Sequence, residues 1–269
     1  MWNNFTDAFV SSIVCNENPD SISAKLEKAF LTLRILRKLT LHGFKEPNQN
    51  QGCMSFLKLV FERIKTSMEC RKQLINNRLQ QLLESCEKLI IHLTKVLLSV
   101  LDTHPFSFID FIQPTLSFTV FYVFTVEGSG YLFERFVIQC FNLIKGILLC
   151  NEYKPAKIIE LTKDQATINA HRIKTDFFQL ETLTEICRKL VSHYFVLTQD
   201  DLDNWNDDPE NFATDEGGES WKYSLRVIMI VRNVLHLLIV LCLTFVSRCL
   251  MTTLKFVDNL FASRSVSSS

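Results

Sequence analysis

Residues 21–43 read S-I-S-A-K-L-E-K-A-F-L-T-L-R-I-L-R-K-L-T-L-H-G, and the spacing of their apolar side chains decides the fold. Leu26, Phe30, Leu33, Leu36 and Leu39 recur at intervals of three and four, which places them on one face of a helix, with Lys25, Lys28, Arg34, Arg37 and Lys38 between them. Burying each of those apolar side chains is worth roughly 1.5–3 kcal/mol, but an isolated helix of this length is marginal in water. A second helix must therefore lie alongside.

Further stripes supply the partners. Leu57, Val60, Phe61, Ile64 and Met68 form one, and Cys86, Leu89, Ile90, Leu93, Leu97, Val100 and Leu101 form the next, ended by Pro105. Pro114 suits the first turn of a helix carrying Leu116, Val120 and Tyr122 to about Val126, where Gly128 and Gly130 break the chain. Phe133, Phe136, Val137, Cys140, Phe141, Ile144 and Leu148 follow on another stripe. Past Lys154 and Pro155 a polar stretch holds a short helix near Gln165 to Phe178. Thr182 with Glu185 has the form of a capping box for a helix burying Leu183, Ile186, Cys187, Leu190 and Tyr194, and Thr198 with Asp201 repeats that form.

Seven glycines and six prolines are too few to turn the many short strands of a sandwich or barrel. The continuous apolar run from Phe118 to Phe124 is read as helix too. Helices of about 15 to 20 residues, paired every 40 to 45, have the period of HEAT or armadillo repeats, with roughly five pairs before Arg226. The expected fold is all-α, an α-solenoid of antiparallel helix pairs; periodicity by itself leaves a helical bundle equally open.

The 29 basic and 29 acidic residues cancel, so no net field draws nucleic acid. Nine cysteines, an odd number, include no C-x-x-C pair and no histidine at zinc spacing, and most stand at apolar helical positions as reduced, core-filling thiols. Met1 to Cys15 lacks a positively charged start and carries Asp7, so no secretory leader is expected. The six histidines are scattered, and neither a nucleophile elbow, a zincin motif nor a phosphate-cradling glycine loop occurs. Cys187 and His193, six apart, would face different sides of a helix. We expect no enzyme, no cofactor and no metal.

From Leu197 to Phe212 the chain reads L-T-Q-D-D-L-D-N-W-N-D-D-P-E-N-F, followed by W-K-Y-S-L-R at Trp221 to Arg226. This long, compositionally odd pattern resembles a segment of the importin-beta (karyopherin-beta) family. Leu33 to Phe44, Thr94 to Phe108, Phe133 to Lys145 and Thr182 to Phe195 are similar to the same family, so the resemblance covers nearly everything from Trp2 to Arg226. It implies a HEAT-repeat receptor that carries protein cargo into the nucleus and releases it when the GTP form of Ran binds, residing in cytoplasm and nucleus, with the nuclear envelope as a further location. Family members are far longer, so the expectation is a partial receptor, without the N-terminal repeats that supply the first Ran contact or the C-terminal repeats that embrace cargo. The domains read as a solenoid at 1–226, an apolar helical tail at 227–262 where the resemblance stops, and a disordered Ser-rich end at 263–269. That tail is read as an alternative or read-through end.

The candidate partner-binding element is acidic: Asp200, Asp201, Asp203, Asp207, Asp208, Glu210, Asp215 and Glu216, with Trp205 among them and no Lys or Arg from Gln199 to Ser220. Like charges within a Debye length of about 8 Å keep it solvated and present a negative field to a basic cargo surface or a basic face of Ran. The alternative is a solvated loop between repeats that Trp205 and Phe212 merely pin down. Two further readings stand beside the receptor: a HEAT scaffold that binds proteins without Ran, and a tail-anchored membrane protein. Against the latter, the run from Val234 to Val246, bounded by Arg232 and Arg248, is shorter than the about 20 residues a bilayer core needs.

Overall fold

The computed structural model describes residues 19–154, 164–194, 202, 203, 206–208 and 210. Among them every regular element is helical. They divide into two compact units, one ending at Lys174 and one beginning at Thr175.

In the first unit α1 spans Pro19–His42, α2 Gln51–Asn76, α3 Gln80–Thr103, α4 Ile109–Phe124, the one-turn α5 Val126–Ser129, and α6 Glu134–Leu149. Short 3-10 turns at Pro47–Gln49, Pro105–Phe108 and Asn151–Tyr153 join them. The stripes read from the sequence are the buried faces. All seven named side chains of α3 are buried, as are Leu26, Leu33 and Leu36 of α1 and Leu57, Val60, Ile64 and Met68 of α2. Phe30, Leu39, Phe61 and Val120 are only half-buried.

The connections fix the helix directions. Asn50 caps α2 by accepting the Cys53 amide at 3.0 Å, a contribution of about 1 kcal/mol. At its other end Arg78 takes a left-handed φ of 57°, and the Leu79 and Arg78 amides return to the carbonyls of Leu74 and Ile75. That tight reversal makes α2 and α3 antiparallel. By contrast α1 and α3 run the same way. Phe30 meets the His92 ring, Arg37 donates to Ser99 at 2.7 Å, and the Leu41 carbonyl lies 3.0 Å from the His104 ring, so numbers rise together along both helices. The C-terminal halves of α3 and α6 likewise meet, Gly146 packing on Leu98 and Leu101. Helices α1, α3 and α6 thus form one layer and α2 and α4 the other, the two-layer stacking of HEAT-type helix pairs within an all-α solenoid. The pair from α4 to α6 covers residues 109–149, within the expected repeat length.

Three local expectations need correction. Pro114 lies inside α4, which begins at Ile109 instead of near the proline. The 3-10 turn at Pro105–Phe108 starts the helical path early, and Pro114 sits on the exposed side, where the carbonyl it leaves unbonded faces solvent. Thr182 is not a cap: the helix Leu180–Lys189, α8, has Gln179 at its N-cap without a side-chain bond, while Glu185 pairs with Arg188 at 2.7 Å. Cys70 breaks the run of reduced thiols, being disulfide-bonded, whereas Cys53, Cys86, Cys140, Cys150 and Cys187 keep their thiols outside any disulfide. Burial pushes the Cys53 thiol up to about 11 and the Cys86 thiol to about 12, so neither is a nucleophile at neutral pH. The short helix expected near Gln165 is α7, Gln165–Phe177.

In the second unit α8 buries Leu183 and Ile186, and a π-helical turn at Leu190–Tyr194 buries Leu190. Thr198, Asp201 and everything after Glu210 lie outside the described residues. The same holds for the apolar run from Val234 to Val246. Among the described residues the stretch Pro105–Phe124 is long and apolar enough to cross a membrane, but it is mostly buried against its neighbours, as a core helix is.

Candidate functional site

Two hollows in the first unit are built between helices that share a layer. The first, of about 620 Å³, lies between α2 and α4 and is lined by Phe61, Lys65 and Glu69 on one side and Pro114, Ser117, Phe118 and Phe121 on the other. Its walls are aromatic. Phe61 stacks on Phe111 with centroids 6.0 Å apart and meets Phe118 edge-on, while Phe121 remains 43% exposed. Below them Phe118, Tyr122 and Phe136 form a cluster of edge-to-face contacts. Burial, with the Glu69 charge adding to it, pushes the Tyr122 hydroxyl up to about 12.

Tyr131 closes one end of this groove, held by neighbouring side chains of α2. Its hydroxyl donates to Glu69 Oε1 at 2.8 Å, the Lys72 ammonium stands over its ring at 4.8 Å, and its carbonyl accepts from Arg71 at 3.4 Å. Arg71 also pairs with Glu87 of α3 at 2.7 Å and lies 4.7 Å over the Phe133 ring. Gly128 makes the closure possible, since a Cβ there would collide with the backbone of Phe121 and Tyr122.

The second hollow, about 520 Å³, lies between the C-terminal halves of α3 and α6. Leu98, Leu101 and Leu149 line it together with Gly146, and Asp102, Asn142, Lys145, Cys150, Asn151 and Glu152 supply its polar groups. A Cβ on Gly146 would come within 2.8 Å of Leu101 Cδ2, so the bare glycine keeps the cleft open. The Cys150 thiol donates to Glu152 at 3.2 Å, and burial followed by that bond pushes it up to about 11. Beneath it Tyr153 is fully buried and donates to the Pro105 carbonyl at 2.6 Å, tying the turn after α6 to the start of α4.

Of the acidic candidates, Asp203, Asp207, Asp208 and Glu210 are exposed, as a solvated segment requires. Asp200, Asp201, Trp205, Asp215 and Glu216 lie outside the described residues. Neither hollow was foreseen from the sequence, because each joins residues some 40 to 70 positions apart. The one available signal was Phe121, which stands off the stripe that Phe118 and Tyr122 share. Among the described residues no cluster of His, Cys, Asp or Glu is placed to hold a metal ion. Both hollows offer apolar floors with charged rims, the chemistry of a protein-contact surface.

Comparison with known proteins gives the lineage. The chain is 49% identical over 227 residues to Importin-11 of Homo sapiens, covering 84% of this chain and 23% of the relative. Importin-11 of Mus musculus is 48% identical over the same length, and the Importin beta-like protein KAP120 of Saccharomyces cerevisiae is 25% identical over 225 residues, covering 78% of this chain and 21% of that protein. The chain therefore spans under a quarter of the length of the curated relatives it matches. No family model and no solved structure matches it. Paired helices in two layers, matched over most of their length at this identity, place the lineage: the chain belongs to the importin-beta family.

Proposed function

We propose that this chain is part of a nuclear transport receptor, holding protein cargo and responding to the GTP form of Ran, without catalysis or cofactor. The identity to Importin-11 carries the reading, because it extends over 84% of the chain. The layered helices of the first unit support it, because they leave hollows between repeats where a partner can be held. The reading places the protein in cytoplasm and nucleus, with passage through the nuclear envelope between them.

The acidic segment is the proposed contact for a basic partner. Asp207, Asp208 and Glu210 stand exposed near one another in sequence, and their field reaches basic groups within about 8 Å at physiological salt. Reversing all three to Lys weakens capture of a basic cargo on this reading; unchanged capture at low salt would remove the segment from the proposal.

The test of the whole is a binding assay with the full chain on beads and Ran locked in its GTP or GDP form. Preference for the GTP form supports the receptor. Indifference to nucleotide, with protein capture retained, favours a scaffold that bridges proteins without Ran.

A further inference from the structure

The cleft between α3 and α6 is unevenly satisfied. Glu152 accepts from the Cys150 thiol and Asn151 Oδ1 accepts from Lys154 at 2.7 Å, so both are engaged. Lys145, the cation lining the same cleft, is also in contact. Among the charged groups Asp102 is the exception: it lines the cleft with no side-chain hydrogen bond and no ion pair among the described residues, beside the uncharged Asn142. Its carboxyl is raised above the usual range by the protein that displaces water around it. Beside it lies an apolar bed of Leu98, Leu101 and Leu149, left accessible by Gly146.

We infer that this cleft receives one lysine or arginine side chain of a partner protein, its aliphatic stem on the three leucines and its charged head on Asp102. Lysine and arginine carry an apolar stem and a charged tip, the two chemistries this cleft offers side by side. A charge-assisted bond to a carboxylate in a partly dry site is about twice as strong as a neutral one, which makes Asp102 the anchor. Lys145 sets the specificity. It repels a second cation, so the fitting partner presents a single basic residue among apolar or neutral neighbours, unlike the polybasic surface proposed for the acidic segment. The inference rests on the protein-binding reading above and adds to it the chemistry of one contact.

Methyl NMR on the full chain with labelled leucines tests it, using the peptide acetyl-Gly-Leu-Arg-Leu-Gly-amide and its citrulline counterpart as probes. Saturable shifts are expected at the methyls of Leu98, Leu101 and Leu149. Affinity should fall at least about fivefold when citrulline replaces arginine or when Asp102→Asn removes the charge, as loss of one charge-assisted bond implies. Asp102 is exposed, so this variant folds. Asp207→Asn with Asp208→Asn and Glu210→Asn should leave the titration unchanged. Shifts confined to other leucines, an effect under about twofold for citrulline or Asp102→Asn, or preference of the cleft for a peptide with three consecutive arginines would overturn it. Such a failure alongside intact GTP-Ran preference removes the cleft alone; loss of that preference bears on the receptor reading instead.

Discussion

The groove between α2 and α4 is fastened, and the cleft between α3 and α6 is left open. At the first, Tyr131, Glu69, Arg71, Lys72 and Glu87 satisfy one another across three elements, and the aromatic rings beneath are packed edge to face. At the second, a glycine stands where a side chain would fill the space, and a carboxylate stands without a partner among the described residues. The difference teaches where this array is locked and where it holds chemistry in reserve: contacts from both layers fasten the first hollow, and an unmet charge is tolerated at the second.

Substitutions can break that contrast or sharpen it. The largest loss is expected from Phe136→Ala, which empties the cluster under the groove; a fully buried phenylalanine truncated to alanine costs about 3–5 kcal/mol, read from chemical denaturation. Gly128→Ala follows at roughly 2–3 kcal/mol, because the new methyl meets backbone that cannot swing aside. Arg71→Ala removes an ion pair, a ring contact and the bond to the Tyr131 carbonyl; both charged groups keep some water, so the expected cost is about 1–2 kcal/mol, falling with added salt.

The cleft should answer differently. Gly146→Ala meets only the tip of Leu101, and the gain of about 1 kcal/mol from alanine in a helix offsets the adjustment, so its melting temperature should stay within a few degrees of the native chain. A loss matching that of Gly128→Ala would erase the distinction between the two sites. The smallest effect belongs to Asp102→Asn. The protein that partly covers this exposed side chain raises its carboxyl, so folding favours its protonated form, and that stability is present below the ordinary aspartate range and lost as pH rises through the raised value. The variant should therefore match or slightly exceed the native chain in thermal stability at pH 7, with the difference vanishing below about pH 4. A clear destabilisation at pH 7 would mean that Asp102 has a structural partner.

Legibility in the sequence followed locality. The α3 stripe from Cys86 to Leu101 was readable to the residue because one helix face at regular spacing encodes it. Pro114 misled because proline is common in a first turn, and only the tertiary setting shows that its missing donor falls on the exposed side of α4. Thr182 and Glu185 match a cap by spacing, yet the helix already begins at Leu180, so the threonine is inside it and the glutamate pairs with Arg188 instead. The acidic segment was visible as composition, and its described members are indeed exposed. The hollows were invisible for a different reason: Phe61 with Phe118, or Leu101 with Gly146, become neighbours only when repeats stack, and no local pattern carries that pairing.

The shared direction of helices within a layer has an electrical consequence. Each helix carries about half a positive charge at its start and half a negative charge at its end. With α1, α3 and α6 pointing one way and α2 and α4 the other, every positive terminus in one layer sits across from a negative one in its neighbour, so the dipoles cancel pair by pair. Repeats can then be appended without a growing field along either rim, and whatever potential the surface shows to a visitor is written by side chains alone.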